Sequence, residues 1–544
     1  MAKRVHSSVG LEVYLSDMEV VLDDLTRNDV VGRIWRKDYT VWESEPTEIT
    51  NRLGWLTSTD LMSEQIPNLE AFVQEVQEAG FHHVVLLGMG GSSLGPEVLR
   101  QAFGSATGHP ELIVLDSTLP AWVQTITEAI DPANTLFLVS SKSGSTIESI
   151  SLFRYFKNLV ERCVGTEKAG CNFVAITDSG TPLARLAEEE GFRRLFLNPS
   201  DVGGRYSVLS YFGLVPAALI GVDIVALLDR ADDMRELCFS DVPAQENYGA
   251  WLGAAIGTLV SQGRDKLTII TSPAISSFGF WIEQLLAEST GKDGKGVIPV
   301  VGEPLVEPTY YDDDRLFICL RLEGDDNHTI DKAVGQLQSS GQPVLILEMR
   351  DSYDLGAEFF RWEFATAVVG TILGIHPFNQ PDVQQAKQVT ESLLREYTTS
   401  ARLPQVGAVG SLADLMLEAG NGKYLGIMAY LCQIPEVDRV LADFRRRIVE
   451  RYHIATTLGY GPRFLHSTKQ LHNGGPNTGL FLQLTTDHEN DIPVPGMPYT
   501  FGVVADAQAL GDLQSLQSAG RRVIRIHCSR CDGTTISALV NKLV

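Results

Sequence analysis

The chain has 544 residues, of which 44% are hydrophobic and 21% are charged. This length exceeds what one hydrophobic core supports, so it predicts two to four packed units. The formal net charge is -24. Such a surface repels nucleic acid and anionic membranes, and neither is expected as a partner. An anionic small molecule would need a local basic pocket set against that charge.

The N-terminus is polar and lacks the apolar core of a signal peptide. No run approaches the roughly 20 apolar residues that a membrane span requires. Seven cysteines, an odd and scattered set, favour reduced thiols and a cytoplasmic location. Cys528 and Cys531 form one CxxC motif beside His527, with no second pair at zinc-like spacing, so we favour ordinary thiols over a metal or redox site.

The periodicity of the apolar residues divides the chain into four successive segments. Residues 1–75 predict a helical segment with amphipathic stretches at 9–24 and 69–79. Residues 76–223 alternate apolar strands with helices, which predicts parallel pairing with right-handed crossovers. The predicted strands are 83–87, 112–115, 135–139 and 173–176, and the predicted helices are 96–103, 121–130 and 147–164. These strands are apolar throughout, as expected for a doubly wound sheet covered on both faces.

A second unit of the same kind is predicted over residues 224–400. Its strands are expected at 267–271, 316–320 and 344–348, and its helices at 249–262, 278–288, 330–338 and 357–373. Residues 401–544 predict a C-terminal α/β extension. Here strands at 424–431 and 478–484 surround a helix at 437–452, and a strand at 501–504, a helix at 510–518 and a strand at 523–527 follow.

The sequence SKSGST at residues 141–146 lies between a predicted strand and a predicted helix. Amide groups and the positive end of the helix dipole are available at such a corner. Four hydroxyls and one ammonium exceed what a simple helix cap needs. The pattern therefore predicts binding of a phosphate monoester, with the following candidates: Ser141, Lys142, Ser143 and Thr146.

The glycine-rich turn at residues 88–95 would let Gly91 and Ser92 approach a ligand closely. A tight strand-to-helix turn explains the same glycines, and so does a dinucleotide-binding fingerprint. A nicotinamide dehydrogenase would need an acidic residue about 20 positions further on to hold the ribose. Asp116 is roughly placed for that role.

Five motifs occur in one order along the chain: GMGGSSLGP at 88–96, SKSGSTIE at 141–148, VGGRYS at 202–207, ESTGK at 288–292, and FNQ at 378–380 followed by Lys387. Together they resemble the signatures of the phosphoglucose isomerase family. The resemblance implies two sugar-isomerase (SIS) type domains that interconvert glucose 6-phosphate and fructose 6-phosphate. It also implies a small-molecule sugar phosphate as substrate, no metal or organic cofactor, and a homodimer.

The resemblance assigns roles to the matching residues. Glu288 is expected to move a proton between C1 and C2 through a cis-enediol, with Glu283 as the alternative base. Arg205 is expected to stabilise the negative charge of the enediolate. Lys387 is expected to contact the sugar and assist ring opening, with Gln380 hydrogen-bonding nearby.

The family usually supplies a ring-opening histidine between the glutamate loop and the final glutamine. Outside the signature region, this chain has only His328 there, at a polar helix start. We hypothesise that His466 or His472, in the C-terminal extension, takes that role, although a structural turn would also explain both. His376 is a weaker alternative.

Two positions depart from the family pattern, because Asp382 and Tyr211 replace small residues. With the extension, they indicate a divergent branch that resembles the isomerase portion of fused transaldolase–phosphoglucose isomerase proteins. A transaldolase barrel does not fit into the first 80 residues, so isomerase activity alone is expected. An isomerase that also accepts mannose 6-phosphate stays open, as does a non-catalytic SIS-domain sensor, which would have no use for Glu288, Arg205 and Lys387 together.

Overall fold

A computed structural model describes residues 7–404, 406 and 409–541. Within these ranges the strands assemble into three sheets, each mainly or wholly parallel. None of the helices in the described ranges is both long enough and apolar enough to cross a bilayer. The α/β class and the doubly wound parallel sheets predicted from the sequence are confirmed.

In its described residues, the N-terminal segment contains one short strand and three α-helices, besides two short 3-10 helices: β1 (Ser7–Val9), α1 (Leu15–Arg27), α2 (Val30–Trp35) and α3 (Ser58–Glu78). The helix predicted at 9–24 starts later, and the one predicted at 69–79 is only the second half of α3. Pro67 lies inside α3. A proline is a common helix boundary signal, which is why the sequence pattern missed the first half.

The first sheet has the strand order β3-β2-β4-β5-β6, and its neighbouring strands are parallel. Its elements are β2 (His83–Gly88), α4 (Leu94–Phe103), β3 (Glu111–Leu115), α5 (Pro120–Ala129), β4 (Thr135–Ser140), α6 (Ile147–Val164), α7 (Thr166–Ala169), β5 (Phe173–Asp178), α8 (Pro182–Glu189), β6 (Arg194–Asn198) and α9 (Tyr211–Leu219). Every residue of β4 is buried. This burial explains its continuous apolar sequence.

The second sheet has the order β1-β10-β9-β7-β8. Its further elements are α10 (Ile224–Leu237), α11 (Tyr248–Ser261), β7 (Lys266–Thr271), α12 (Phe278–Thr290), β8 (Ile298–Val301), β9 (Arg315–Leu322), α13 (His328–Ser339), β10 (Val344–Met349), α14 (Asp354–Leu373) and α15 (Pro381–Ser400). β1 pairs antiparallel with β10. The N-terminal segment, predicted as helices and loops, therefore also supplies an edge strand.

The third sheet has the order β12-β11-β13-β14, with parallel neighbours. Its elements are α16 (Leu412–Met416), β11 (Tyr424–Tyr430), α17 (Pro435–Tyr452), β12 (Ala455–Tyr460), α18 (Lys469–Gly474), β13 (Gly479–Thr486), α19 (Phe501–Ser518), β14 (Arg522–Cys528) and α20 (Gly533–Asn541).

The strand predicted at 501–504 is wrong, because those residues form the first turn of α19. The Thr500 side chain accepts a hydrogen bond from the Val503 amide, which caps the helix. Most residues of α19 are buried. Since apolar residues occur all around this helix, its start has no helical periodicity and resembles a short buried strand.

The third sheet docks on the second through Arg445 of α17. Its guanidinium donates to the carbonyls of Val301 and Gly302, at 2.9 and 2.8 Å, just where β8 ends. It also donates to the carbonyl and hydroxyl of Thr456 in β12. This docking brings the loop after β12 against the carboxyl ends of the first two sheets.

Candidate active site

Loops at the carboxyl ends of β2 and β4 border a cavity of about 580 Å³. This edge is where open parallel sheets generally bind ligands. Eleven of the candidate residues from the sequence line the cavity: Gly91, Ser92, Ser141, Lys142, Ser143, Thr146, Arg205, Glu288, Gln380, Lys387 and His466. They come from both doubly wound sheets and from the extension.

The glycine-rich turn after β2 lets three loops approach one another. A Cβ atom on Gly91 would lie 1.9 Å from the Gly204 carbonyl oxygen, a distance that no side chain permits. Gly90 has a φ of 57° and would clash with the His466 carbonyl at 2.8 Å. The glycines at these two positions therefore serve the close contact between the loops that form the cavity.

The dehydrogenase interpretation of this turn is wrong. Asp116 makes a bidentate ion pair with Arg463 of the extension, with both N–O distances 2.7 Å. Its side chain is also a hydrogen-bond acceptor for the Ser93 hydroxyl and is buried. The carboxylate is therefore already used inside the protein and is not free to hold a ribose.

The loop of residues 141–146 is ordered by its own hydroxyls. The Ser141 and Thr146 oxygens are 2.9 Å apart, and the Gly144 amide donates to the Ser141 hydroxyl at 3.2 Å. Helix α6 begins directly after the loop, and the side chain of its N-cap residue, Thr146, makes no capping hydrogen bond. The first amides of α6 are thus available for an anion.

Lys142 lies at the cavity wall but is engaged by protein groups. Its ammonium pairs with the Asp178 carboxylate and donates to the Ser200 carbonyl at 3.1 Å. Burial raises the pKa of Asp178 against the opposing effect of Lys142. Arg52, from the loop before α3, adds a second cation to the same wall. No sequence signal distinguished Arg52 from other surface arginines.

Arg205 and Glu288 form a buried ion pair at the other end of the cavity. The guanidinium Nη1 is 3.3 Å from Glu288 Oε2, and both side chains are less than a tenth exposed. Arg205 also donates to Gln380 Oε1 at 3.2 Å and to the Asn379 carbonyl at 2.9 Å. Three separate motifs thus meet at one guanidinium.

The two glutamates considered as the base both lie on α12 but have different surroundings. Gln284, one turn before Glu288, donates its amide to Glu288 Oε2 at 3.2 Å and to the His466 carbonyl at 2.6 Å. Glu283 is not among the residues that line the cavity. Burial raises the pKa of Glu283 to about 8, although Arg445 opposes the shift. The cavity therefore contains Glu288 and excludes the alternative.

His466 reaches the cavity from the loop between β12 and α18. Its Nε2 is 2.7 Å from Glu148 Oε1, which also accepts a hydrogen bond from Gln508 at 2.6 Å. Burial pushes the pKa of Glu148 upward, but His466 and then Lys387 outweigh it and leave that pKa below its ordinary value. Glu148 belongs to the SKSGSTIE motif, yet its spacing alone gave no reason to single it out.

The other histidines considered for ring opening lie elsewhere. Burial lowers the pKa of His472 to about 3, and its ring packs 4.9 Å from that of Phe481. Burial also lowers the pKa of His376 to about 4, and its Nε2 lies 3.0 Å from the Thr47 carbonyl. His328 is exposed at the start of α13. None of the three lines the cavity.

The departure at Asp382 is explained by the extension. Gln470 of α18 donates to Asp382 Oδ2 at 2.6 Å and accepts from the Asp382 amide at 3.0 Å. The same Gln470 amide donates to the Gly291 carbonyl in the glutamate loop. The other departure, Tyr211, donates to Gln65 of α3 at 3.1 Å and does not line the cavity.

Comparison with known proteins agrees with this geometry. The family model for phosphoglucose isomerase matches residues 68–298. A glucose-6-phosphate isomerase of Symbiobacterium thermophilum is 31% identical over 370 residues, which cover 59% of this chain and 82% of that protein. One from Staphylococcus aureus strain RF122 is 30% identical over 386 residues, covering 63% and 86%.

Two solved structures resemble the chain. A hypothetical protein from Thermus thermophilus has a TM-score of 0.58 and 26% identity, and the match covers 71% of this chain and 99% of that one. A glucose-6-phosphate isomerase from Chlamydia trachomatis has a TM-score of 0.60 and 18% identity, covering 70% and 86%. The chain belongs to the phosphoglucose isomerase family.

Proposed function

We propose that this protein interconverts glucose 6-phosphate and fructose 6-phosphate, the reaction for which its curated relatives are named. The observation that carries the proposal is the Arg205–Glu288 pair, 3.3 Å apart. The phosphate loop of residues 141–146 lines the same cavity. A carboxylate, a fixed cation and an anion-binding helix end are the groups that aldose–ketose isomerisation of a sugar phosphate needs.

Glu288 acts as the base in this proposal. Its carboxylate takes a proton from C1 or C2 and returns it to the other carbon through a cis-enediol. Negative charge then develops on the enediolate oxygens, and the buried guanidinium of Arg205 stabilises it. Gln284 and Gln380 hold the base and the cation in place through the hydrogen bonds described above.

The phosphate is bound at the opposite wall. The hydroxyls of Ser141, Ser143 and Thr146 surround the start of α6, where the helix dipole favours an anion. Ser92, next to Gly91, adds a further hydroxyl to the lining of the cavity. Lys142 supplies positive charge to this wall, although Asp178 partly offsets it.

Ring opening is assigned to His466 and Lys387. Both line the same cavity as the phosphate loop and the Arg205–Glu288 pair, and both lie close enough to Glu148 to lower its pKa. A histidine paired with a buried carboxylate is suited to donate a proton to the ring oxygen. The homodimer and the cytoplasmic location stay predictions.

The test is conversion of fructose 6-phosphate to glucose 6-phosphate, coupled to a dehydrogenase specific for the product. E288Q should lose at least about 10²-fold in kcat, because a general base contributes that much. E283Q is the matched control on the same helix. Since the raised pKa keeps Glu283 protonated at pH 7, the isosteric amide should leave the rate nearly unchanged.

Equal losses in E288Q and E283Q would contradict the assignment of the base. No turnover by the wild type, with sugar-phosphate binding intact in a thermal-shift titration, would instead favour the sensor. Turnover of mannose 6-phosphate as well would indicate the broader isomerase.

A further inference from the structure

The third sheet and helix α5 border a ligand-sized cavity that is distinct from the active-site cavity. It measures about 200 Å³ and lies beyond the carboxyl ends of β11, β13 and β14. Three of its lining residues carry reactive side chains: Cys432, Cys531 and His488. The proposed isomerase reaction uses none of them.

The fold brings Cys432 and Cys531 together although 99 positions separate them in sequence. The Cys432 amide donates to the Cys531 sulfur at 2.9 Å. That contact limits the separation of the two Cα atoms to about 7 Å, within reach of a disulfide after small adjustments. Cys528, the other cysteine of the CxxC motif, ends β14 with its thiol buried.

The surroundings make the two thiols chemically unequal. The hydrogen bond from Cys531 lowers the pKa of Cys432 to about 7, against burial and with help from His488. The same hydrogen bond, together with burial, raises the pKa of Cys531. Burial opposes the shift, but Asp506, whose carboxylate is 3.3 Å from the His488 ring, raises the pKa of that imidazole. Cys432 is therefore the better nucleophile.

We propose that Cys432 and Cys531 are a modification site, which forms an intrachain disulfide by exchange with a low-molecular-weight disulfide. The Cys432 thiolate attacks one sulfur of the small disulfide, forming a mixed disulfide and releasing one small thiolate. Cys531 then loses its proton to that thiolate and attacks the Cys432 sulfur, which releases the second small thiolate. Overall, two protein thiols are oxidised and one small disulfide is reduced to two thiols.

The bond would form next to a segment that touches the active site. Gln433 follows Cys432 and accepts a hydrogen bond from Arg463 at 3.3 Å. Arg463 anchors the loop that carries His466 through its pair with Asp116. The proposed disulfide would thus tie the end of β11, whose next residue Gln433 contacts this loop, to the segment after β14, whatever reaction the active site performs.

The experiment treats the reduced full-length protein with oxidised glutathione, alkylates the remaining thiols, digests with trypsin and maps the peptides by mass spectrometry. Trypsin cleaves after Arg525 and Arg530, so Cys528 and Cys531 fall on different peptides. We expect the Cys432 peptide linked to the Cys531 peptide, and reversal by dithiothreitol. Exposed Cys163 and Cys171 should carry only glutathione and serve as internal controls.

A Cys528–Cys531 link in the wild type would overturn the proposal, and so would Cys432 and Cys531 recovered only as alkylated or glutathione-bound thiols. C528S should retain the link between Cys432 and Cys531, and C432S should lose it. Because the mapping is first done on the wild type and measures no isomerase activity, its result is independent of the proposed function.

Discussion

At the scale of residues, His466 is held from two sides. Its ring nitrogen is 2.7 Å from Glu148, and its backbone carbonyl accepts the Gln284 amide at 2.6 Å. Gln284 also contacts the base, Glu288. The proposed ring-opening residue and the proposed base are therefore linked through the side-chain amide of Gln284. This link holds the two residues at a fixed distance from each other.

H466A tests the role of this histidine. We expect the rate on ring-closed fructose 6-phosphate to fall by about 10²–10⁴-fold, because a positioned proton donor is lost. Proton exchange at C1 and C2 of an open-chain sugar phosphate, followed by NMR in D₂O, should remain near the wild-type rate. H328A, at an exposed position of α13, is the control. Unchanged rates of H466A on both substrates would contradict the assignment of His466 to ring opening.

At the scale of elements, α14 is buried along most of its length and carries Glu363. This side chain is fully buried, and neither of its oxygens has a hydrogen-bond partner among the described residues. Burial raises the pKa of Glu363 well above its ordinary value. The helix packs tightly against α11, since a Cβ on Gly253 would lie 2.7 Å from Val368. A carboxyl group inside such packing costs stability.

E363M should stabilise the protein by about 1–3 kcal/mol at pH 7, since a buried group without partners is removed. The part of the wild-type penalty that comes from ionisation is absent below the ordinary glutamate pKa and grows as the pH rises, because only the unfolded chain ionises. The difference between variant and wild type should therefore widen from pH 5 to 7, by at most about 1.4 kcal/mol per pH unit. Urea titrations at several pH values measure it.

The matched control for this prediction is E70M, which replaces an exposed glutamate of α3. It should give no pH-dependent difference. A difference for E363M that stays constant or shrinks as the pH rises would contradict the buried neutral carboxyl.

Elements differ in how well the sequence predicts them. Strands such as β4 are continuous apolar runs between turn signals, and helix α6 was predicted with its observed ends. The pattern failed where burial removes periodicity, as at the start of α19. It also failed at β1, because three residues that pair with a distant strand carry too little local signal.

At the scale of the whole molecule, Arg445 joins the second and third sheets. Its side chain is buried, and burial lowers its pKa to about 10. Four hydrogen bonds to Val301, Gly302 and Thr456 satisfy the guanidinium. The cation therefore holds the end of β8 and the strand β12 at one point.

R445M should lower stability by about 3–5 kcal/mol, since it leaves buried polar partners unpaired. R446M is the control, because the neighbouring Arg446 pairs with Asp443 and Glu450 at the surface and should cost less than about 1 kcal/mol. The urea midpoint of the first unfolding transition compares them. Equal midpoints for the two variants would show that the interface does not depend on Arg445.

Much of the candidate site could be predicted because its residues lie in compact motifs at strand ends. Arg52, Gln284 and Glu148 were missed because each acquires its role only through contacts with distant parts of the chain. Asp116 was singled out for a different role, because its partner Arg463 follows 347 positions later. Local spacing carries no information about such contacts, and the CxxC motif even suggests a different partner for Cys531.

The wall of the active-site cavity includes Glu48 near one end of the chain and His466 near the other. During synthesis, the phosphate loop and Glu288 are made before His466. Gln508, whose amide donates to the Glu148 carboxylate that pairs with His466, is made later still. A nascent chain that stalls before residue 466 still lacks one side of the cavity. We therefore expect catalytic activity to appear only after this last part of the cavity has been synthesised.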